Sequence, residues 1–236
     1  MRAATCAVVL ALAVSLAACG DHSGSAARAD GPASAVTRLV VTTDNGLRLR
    51  PAGGDDVSVD RRVGHHWSHR DGTWVLDLSC GSDCPRMPRI GVPHDTAVTV
   101  VARNAGIDAA GVPGALDLTT VNGDVTVADS GAADAPARLV TRNSSVRATQ
   151  LRARSVSAGT VNGDLTLDCA TAPRRVTART VNGSVSTVVP HGAAPYRVTA
   201  TTDNGRPYVM VPTTGAPADR ALHLTTVNGD VRARRN

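Results

Sequence analysis

The amino-acid sequence predicts an all-β chain built from a repeated unit, and three observations carry that expectation. The first is composition. All 25 cationic residues are Arg and all 20 acidic ones are Asp, so Lys and Glu are absent, and Gln150 is the one Gln. Lys, Glu and Gln are common helix formers, and 22 Gly with 13 Pro interrupt helices further. The second is period-two alternation of apolar and polar residues in segments rich in Val and Thr, which suit half-buried pleated strands. The third is self-similarity: Thr-Val-Asn-Gly stands at 120–123, 160–163, 180–183 and 226–229, with variants at 43–46, 141–144 and 202–205. At 236 residues and 42% hydrophobic content, the chain can bury a core as one long β domain or two small ones.

Residues 1–18 read as a lipoprotein signal peptide. Arg2 gives a short positive start, Cys6 to Val14 is an unbroken apolar run, and Leu16-Ala17-Ala18-Cys19-Gly20 follows. The apolar run is nine residues long, too short to span a bilayer as a helix. The string that follows it resembles the bacterial lipobox, in which the Cys is lipidated and the chain is cut just before it. That resemblance makes Cys19 the lipidation residue. It places the mature chain on the extracytoplasmic face of the cell membrane, held by acyl chains such as palmitate, of which stable anchoring needs more than one. Residues 19–36 are small and polar and read as a flexible tether.

Residues 37–97 read as an irregular N-terminal β cap. Val57-Ser58-Val59, Trp74 to Leu78 and Ile90-Gly91-Val92 are short strands, with turns at Gly53-Gly54, Asp71-Gly72 and Gly81. A stack of coils ends in an exposed strand edge and an open core, so a cap is needed there.

Residues 98–236 carry the repeat as a β-solenoid continuous with that cap. From a degenerate copy at Asn104 onward, the Asn-to-Asn gaps are 18, 21, 19, 20, 22 and 24. Leu118, Leu139, Ala158, Ala178, Ala200 and Leu224 stand four before each later Asn, and Val125, Val146, Leu165, Val185, Pro207 and Val231 three after. Asn122-Gly123, Asn162-Gly163, Asn182-Gly183, Asn204-Gly205 and Asn228-Gly229 are the structural turns, because both residue types tolerate positive φ. In an antiparallel hairpin meander they would be hairpin tips. In a solenoid they would be corners, one coil per unit. Near-identical units favour stacking, with Asn and Thr in ladders about 4.8 Å apart. Outward Asp124, Asp164 and Asp230 would then be separated by rungs carrying Ser145, Ser184 and Arg206.

A lipobox followed by Thr-Val-Asn-Gly-Asp-Val units resembles the bacterial adhesin-like lipoproteins of the DUF4097 type. Val92-Pro93 and Ala97-Val98-Thr99-Val100, ahead of the units, are shared as well. The resemblance covers most of residues 37–236. It implies a right-handed single-stranded β-helix displayed outside the cell, and no specific activity. Pro207 in place of an apolar strand residue, and Ser144 in place of Gly, depart from the pattern.

Without Lys or Glu there is no P-loop Lys, no HExxH and no kinase Lys–Glu pair, and no GxSxG elbow occurs either. His65-His66-Trp67-Ser68-His69 is the one His cluster. In a strand His65 and His69 share a face and His66 does not, and no nearby Cys or acidic pair completes a zinc set. It reads as a polar strand edge, with no metal or cofactor expected. Cys80 and Cys84, separated by three residues in an exported chain, read as a local disulfide. Cys169 continues the inward alternation of Leu165 and Leu167 and reads as a core thiol. The formal charge of +5 is spread along the chain, and 2% aromatics leave few stacking groups, so nucleic acid is not an expected partner. The expected function is a membrane-anchored binding or scaffold protein without catalysis, its partner an envelope protein or polysaccharide. The alternative is a polysaccharide-binding or polysaccharide-active β-helix using surface Asp.

Overall fold

The computed structural model describes residues 32, 35–79, 86–214 and 219–236, and among them there is no helix. The chain opens with β1 (Arg38–Thr43), β2 (Leu47–Pro51), β3 (Ser58–Val59), β4 (Gly64–Arg70), β5 (Thr73–Ser79) and β6 (Arg89–Val92). It continues through β7 (Ala97–Ala102), β8 (Ile107–Ala110), β9 (Leu116–Thr119), β10 (Val125–Ala128), β11 (Gly131–Val140) and β12 (Val146–Gly159). Then follow β13 (Leu165–Cys169), β14 (Arg175–Arg179), β15 (Val185–Val189), β16 (Arg197–Asn204), β17 (Pro207–Met210), β18 (Ala221–Asn228) and β19 (Val231–Arg235).

Strands of successive units pair in parallel. One ladder runs β7, β9, β11, the second half of β12 and β14. The other runs β8, β10, the first half of β12, β13 and β15. Each unit therefore lays one strand on one sheet, turns at its Asn corner, and lays the next strand on the other sheet. β12 is 14 residues long because it serves both sheets, and it changes sheet near Gln150, a non-glycine residue at φ 52°. The hairpin meander is not what forms. β9 and β10 flank Asn122-Gly123, and each pairs with the coils above and below rather than with the other. Antiparallel pairing among the described strands is confined to β4 on β5 and β3 on β6, so the strand arrangement as a whole is mixed and curled.

Register sets like on like, as period-two alternation requires. Val100, Leu118, Leu139, Ala158, Ala178 and Leu224 form one buried row, and Ile107, Val125, Val146, Leu165, Val185 and Val231 another. Burying each Val or Leu fully contributes about 1.5–3 kcal/mol, so these rows hold the stack together.

Stacking order departs from chain order at both ends. β1 lies between β5 and β7, and β2 between β6 and β8. The coil of residues 38–51 is thus inside the stack, with later strands outside it. Leu47 pairs with Ile107, so the corner after Asn45 is one residue shorter than the others. In the sequence the apolar Leu47 and Leu49 accordingly stand two and four residues after Asn45, whereas Val125, Val146, Leu165, Val185 and Val231 stand three after theirs. At the other end β18 lies between β14 and β16, and β19 between β15 and β17.

The corners form ladders in this corrected order. Side-chain amides donate up the column from Asn122 to Asn104, Asn143 to Asn122, Asn162 to Asn143, Asn182 to Asn162, Asn228 to Asn182 and Asn204 to Asn228. Buried Thr hydroxyls donate to the corner carbonyl of the neighbouring coil: Thr141 to Gly123 at 2.8 Å, Thr180 to Gly163 at 2.9 Å and Thr226 to Gly183 at 2.7 Å. The expected reason for Asn-Gly, positive φ at the turn, holds for three of the corner glycines: Gly163, Gly183 and Gly229 stand at φ 159°, 149° and 145°. It does not hold for Gly123 and Gly205, nor for Asn122, Asn162, Asn182, Asn204 and Asn228, none of which has positive φ. Close approach adds a second reason, because a Cβ on Gly163, Gly183 or Gly229 would overlap the carbonyl oxygen of Ser144, Gly163 or Gly183 in the next coil.

Candidate functional site

Cys19, Cys80 and Cys84 lie outside the described residues. The His cluster falls on β4, where His65, His66 and His69 are exposed and Trp67 is buried. His65 Nδ1 is 2.9 Å from the Val63 carbonyl, and the His69 ring lies against Trp74 at 4.6 Å between centroids. The His65 and His69 imidazoles thus engage the backbone and a neighbouring ring, and no metal-binding group of three appears among the described residues.

The Asp column is brought together, and the backbone uses it. Asp124 Oδ1 accepts the Ser145 N–H at 3.0 Å, Asp164 Oδ1 the Ser184 N–H at 2.7 Å, and Asp230 Oδ1 the Arg206 N–H at 3.1 Å. Between them Ser145 Oγ accepts the Asp164 N–H and Ser184 Oγ the Asp230 N–H. Asp and Ser alternate as rungs of one hydrogen-bonded staple. Cys169 is buried, and burial first, with Asp168 second, pushes its thiol up to about 12. Such a thiol is a poor nucleophile.

Two hollows lie in the N-terminal half. One, of about 330 Å³, is lined by Thr42, Asp44, Asp77, Val101 and Arg103. The other, of about 380 Å³, is lined by Met87, Ile107, Asp108, Asp124 and Thr126. Among the described residues neither lining holds a Ser, Cys or His to pair with its carboxylates as nucleophile or base.

The surface with the most distinct chemistry is the outward side of β14, β18 and β16. Residues 37–136 hold 9 Arg and 13 Asp, whereas residues 137–236 hold 14 Arg and 5 Asp. Coiling turns that imbalance into a gradient along the stack. Arg154, Arg174 and Arg220 follow one another where the strands begin, through the Arg174 N–H to the Arg154 carbonyl and the Ala221 N–H to the Arg174 carbonyl. Arg175 and Arg197 pair with Ala221 from opposite sides, two rungs or about 9.6 Å apart. Arg179 closes the far end of β14.

Arg154, Arg174, Arg175, Arg179 and Arg197 are exposed, and among the described residues none is in an ion pair. Arg220 differs. Its Nη1 donates to the carbonyls of Ala172 and Pro173, and its guanidinium lies 5.9 Å from the Tyr196 ring. Asp203 is the one acidic residue in β14, β16 and β18. The other outward positions there include Thr177, His223, Thr199 and Thr201. Planar guanidinium forks without competing carboxylates suit bidentate contacts to carboxylate or phosphate. A reading by local charge runs finds only Arg174-Arg175 of this set, because the other members are brought near across strands. The signal that finds it is the charge asymmetry between halves of the chain.

No family model matches the chain, and no curated protein matches it. Among solved structures it is similar to a putative adhesin from Bacteroides fragilis NCTC 9343, at 14% identity over 85% of this chain and 93% of that one, with a TM-score of 0.44. It is also similar to a putative cell adhesion protein from Clostridium sporogenes ATCC 15579, at 9% identity over 86% of this chain and 94% of that one, with a TM-score of 0.39.

Proposed function

We propose that the chain is a non-catalytic binding scaffold, anchored through Cys19 to the extracytoplasmic face of the cell membrane. In this reading it presents a right-handed single-stranded β-helix of the DUF4097 adhesin-like type to an anionic glycan of the envelope. The observation that carries the binding role is the set of five exposed arginines without an ion pair among the described residues, Arg175, Arg179 and Arg197 on the outward side of β14 and β16 and Arg154 and Arg174 beside the strand starts. Such a face attracts a polyanion from a distance and holds it by many individually weak contacts. The polysaccharide-active alternative rests on surface Asp, and Asp124, Asp164 and Asp230 are engaged by backbone N–H groups. What remains of that alternative is polysaccharide binding, carried by Arg rather than Asp. A flexible tether of about seventeen residues lets the scaffold range on the order of 20–25 Å from its anchor.

Cys19→Ser tests the anchor. The variant should move from the membrane fraction to the soluble one. A variant that stays with the envelope and still takes up a lipid label contradicts the reading. Turnover of an envelope polysaccharide by the purified protein would contradict its non-catalytic part.

A further inference from the structure

Six Asn-Gly pairs stand in the chain, at 45–46, 122–123, 162–163, 182–183, 204–205 and 228–229. Asn is among the thermolabile residues, and it is most so before Gly. With no Cβ on the Gly, its backbone nitrogen can approach the Asn side-chain carbonyl and displace the amide. The attack needs a Gly N–H that solvent can deprotonate, an Asn side chain free to swing toward it, and a chain that can flex. The corners of the stack meet those needs unequally.

Four of the six Asn side chains are held from both sides. Asn122, Asn162, Asn182 and Asn228 each donate to the Asn of one neighbouring coil and accept from the Asn of the other. In three of these pairs the Gly N–H is engaged too. Gly163 donates to the Asn182 carbonyl at 2.8 Å, Gly183 to the Asn228 carbonyl at 2.8 Å and Gly229 to the Asn204 carbonyl at 3.0 Å. Gly46 is buried against Gly106, away from solvent base.

Asn204-Gly205 is the end of the ladder. The Asn204 amide donates to Asn228 at 2.8 Å, and no described residue donates to its Oδ1. Gly205 is the one exposed glycine of the six, and its N–H has no partner among the described residues. The chain segment Pro212 to Thr214, which pairs with Tyr196, lies at the opposite end of β16 from Asn204.

We infer that Asn204 is a site of spontaneous modification by water, selected by its place on the last rung. Its side chain gives up the one ladder bond, and the Gly205 nitrogen, its proton lost to solvent base, attacks Cγ. The N–Cγ bond forms, the Cγ–Nδ2 bond breaks, and ammonia leaves with a proton from solvent. Water then opens the cyclic imide at either carbonyl. One product is Asp at position 204, and the other is its isomer, isoaspartate, with the main chain routed through the side-chain carbon. The balance is one water consumed, one ammonia released, and a neutral amide turned into a carboxylate. That charge lands beside Asp203, at the end of the column that carries the arginines. In the isomer the main chain gains a methylene just before Gly205 and Arg206, which alone connect β16 to β17, and β17 loosens from its register with β19. The inference depends on neither the anchor nor the glycan reading.

Ageing the full-length protein in detergent at mildly alkaline pH, with peptide mapping by mass spectrometry at intervals, tests it. Asn204 should convert at least about tenfold faster than each of the other five, because they react only when the stack opens locally. The product should include isoaspartate, read by labelling with an isoaspartate methyltransferase. In peptides released from the same protein by digestion, the lead of Asn204 should vanish. A folded protein in which Asn204 does not lead, or a lead that persists undiminished in the peptides, would overturn the inference.

Discussion

Gly183 shows what a corner demands of a residue. Its φ is +149°, and a Cβ there would strike the backbone of Gly163 in the adjacent coil. Gly192, at φ +78°, has open space where its Cβ would go. Gly192→Ala should therefore cost about 1–2 kcal/mol, the backbone term alone. Gly183→Ala should cost about 2–4 kcal/mol, because the coil spacing must give as well. Denaturant midpoints of the two variants compare them directly, and equal losses would show that coil contact does not select glycine. The corner positions are legible in the sequence, since Asn-Gly repeats with its flanking alternation. The cause is legible only in part, because local propensity speaks of turns, while the atom that excludes a side chain belongs to a residue some twenty positions away. The Asp column was legible in the same partial way. Its alternation with Ser can be read from the repeat, but its bonding to backbone N–H groups needs the neighbouring coil in place.

At the level of elements, β18 and β19 enter between coils that precede them in the chain. The sequence cannot rank those coils, because each unit carries the same inward pattern and would fit any rung. Longer connections, with gaps of 22 and 24 between Asn182, Asn204 and Asn228, are the one hint, and they do not say which coil goes inside. What fixes the exchange is a lock at the strand starts. The buried Tyr196 hydroxyl donates to the Pro173 carbonyl at 3.0 Å, and Arg220, just before β18, donates to the same carbonyl at 2.9 Å. The two groups tie the starts of β16 and β18 to the loop that precedes β14. Tyr196→Phe keeps the packing and removes one of the two donors. It should cost about 1 kcal/mol, seen as a Tm lower by about 2–4 °C. A Tm equal to the wild type would mean that Arg220 holds the loop alone.

For the molecule as a whole, the stack converts a chain-wise charge imbalance into a polar column. From β5 to β16 one sheet is nine strands deep, about 38 Å at ~4.8 Å per rung. The acidic half lies toward the β5 end and the basic half toward the β16 end. An anchor at Cys19 would leave the arginines on the part of the column farthest along the chain from the membrane. The all-β architecture and the stacking of units were legible because one face of most strands is buried and alternation records it. The arginine-rich face was not, because outward residues answer to no such periodicity. The most direct test of the scaffold reading is a titration of the full-length protein with an acidic, uronate-rich polysaccharide at rising salt. The comparison is between the wild type and the triple variant R174S/R175S/R179S. The wild type should bind with an affinity that falls steeply as salt rises, and the variant should lose at least about tenfold in affinity while keeping its fold. No binding by the wild type, or equal binding by both proteins, would contradict the account.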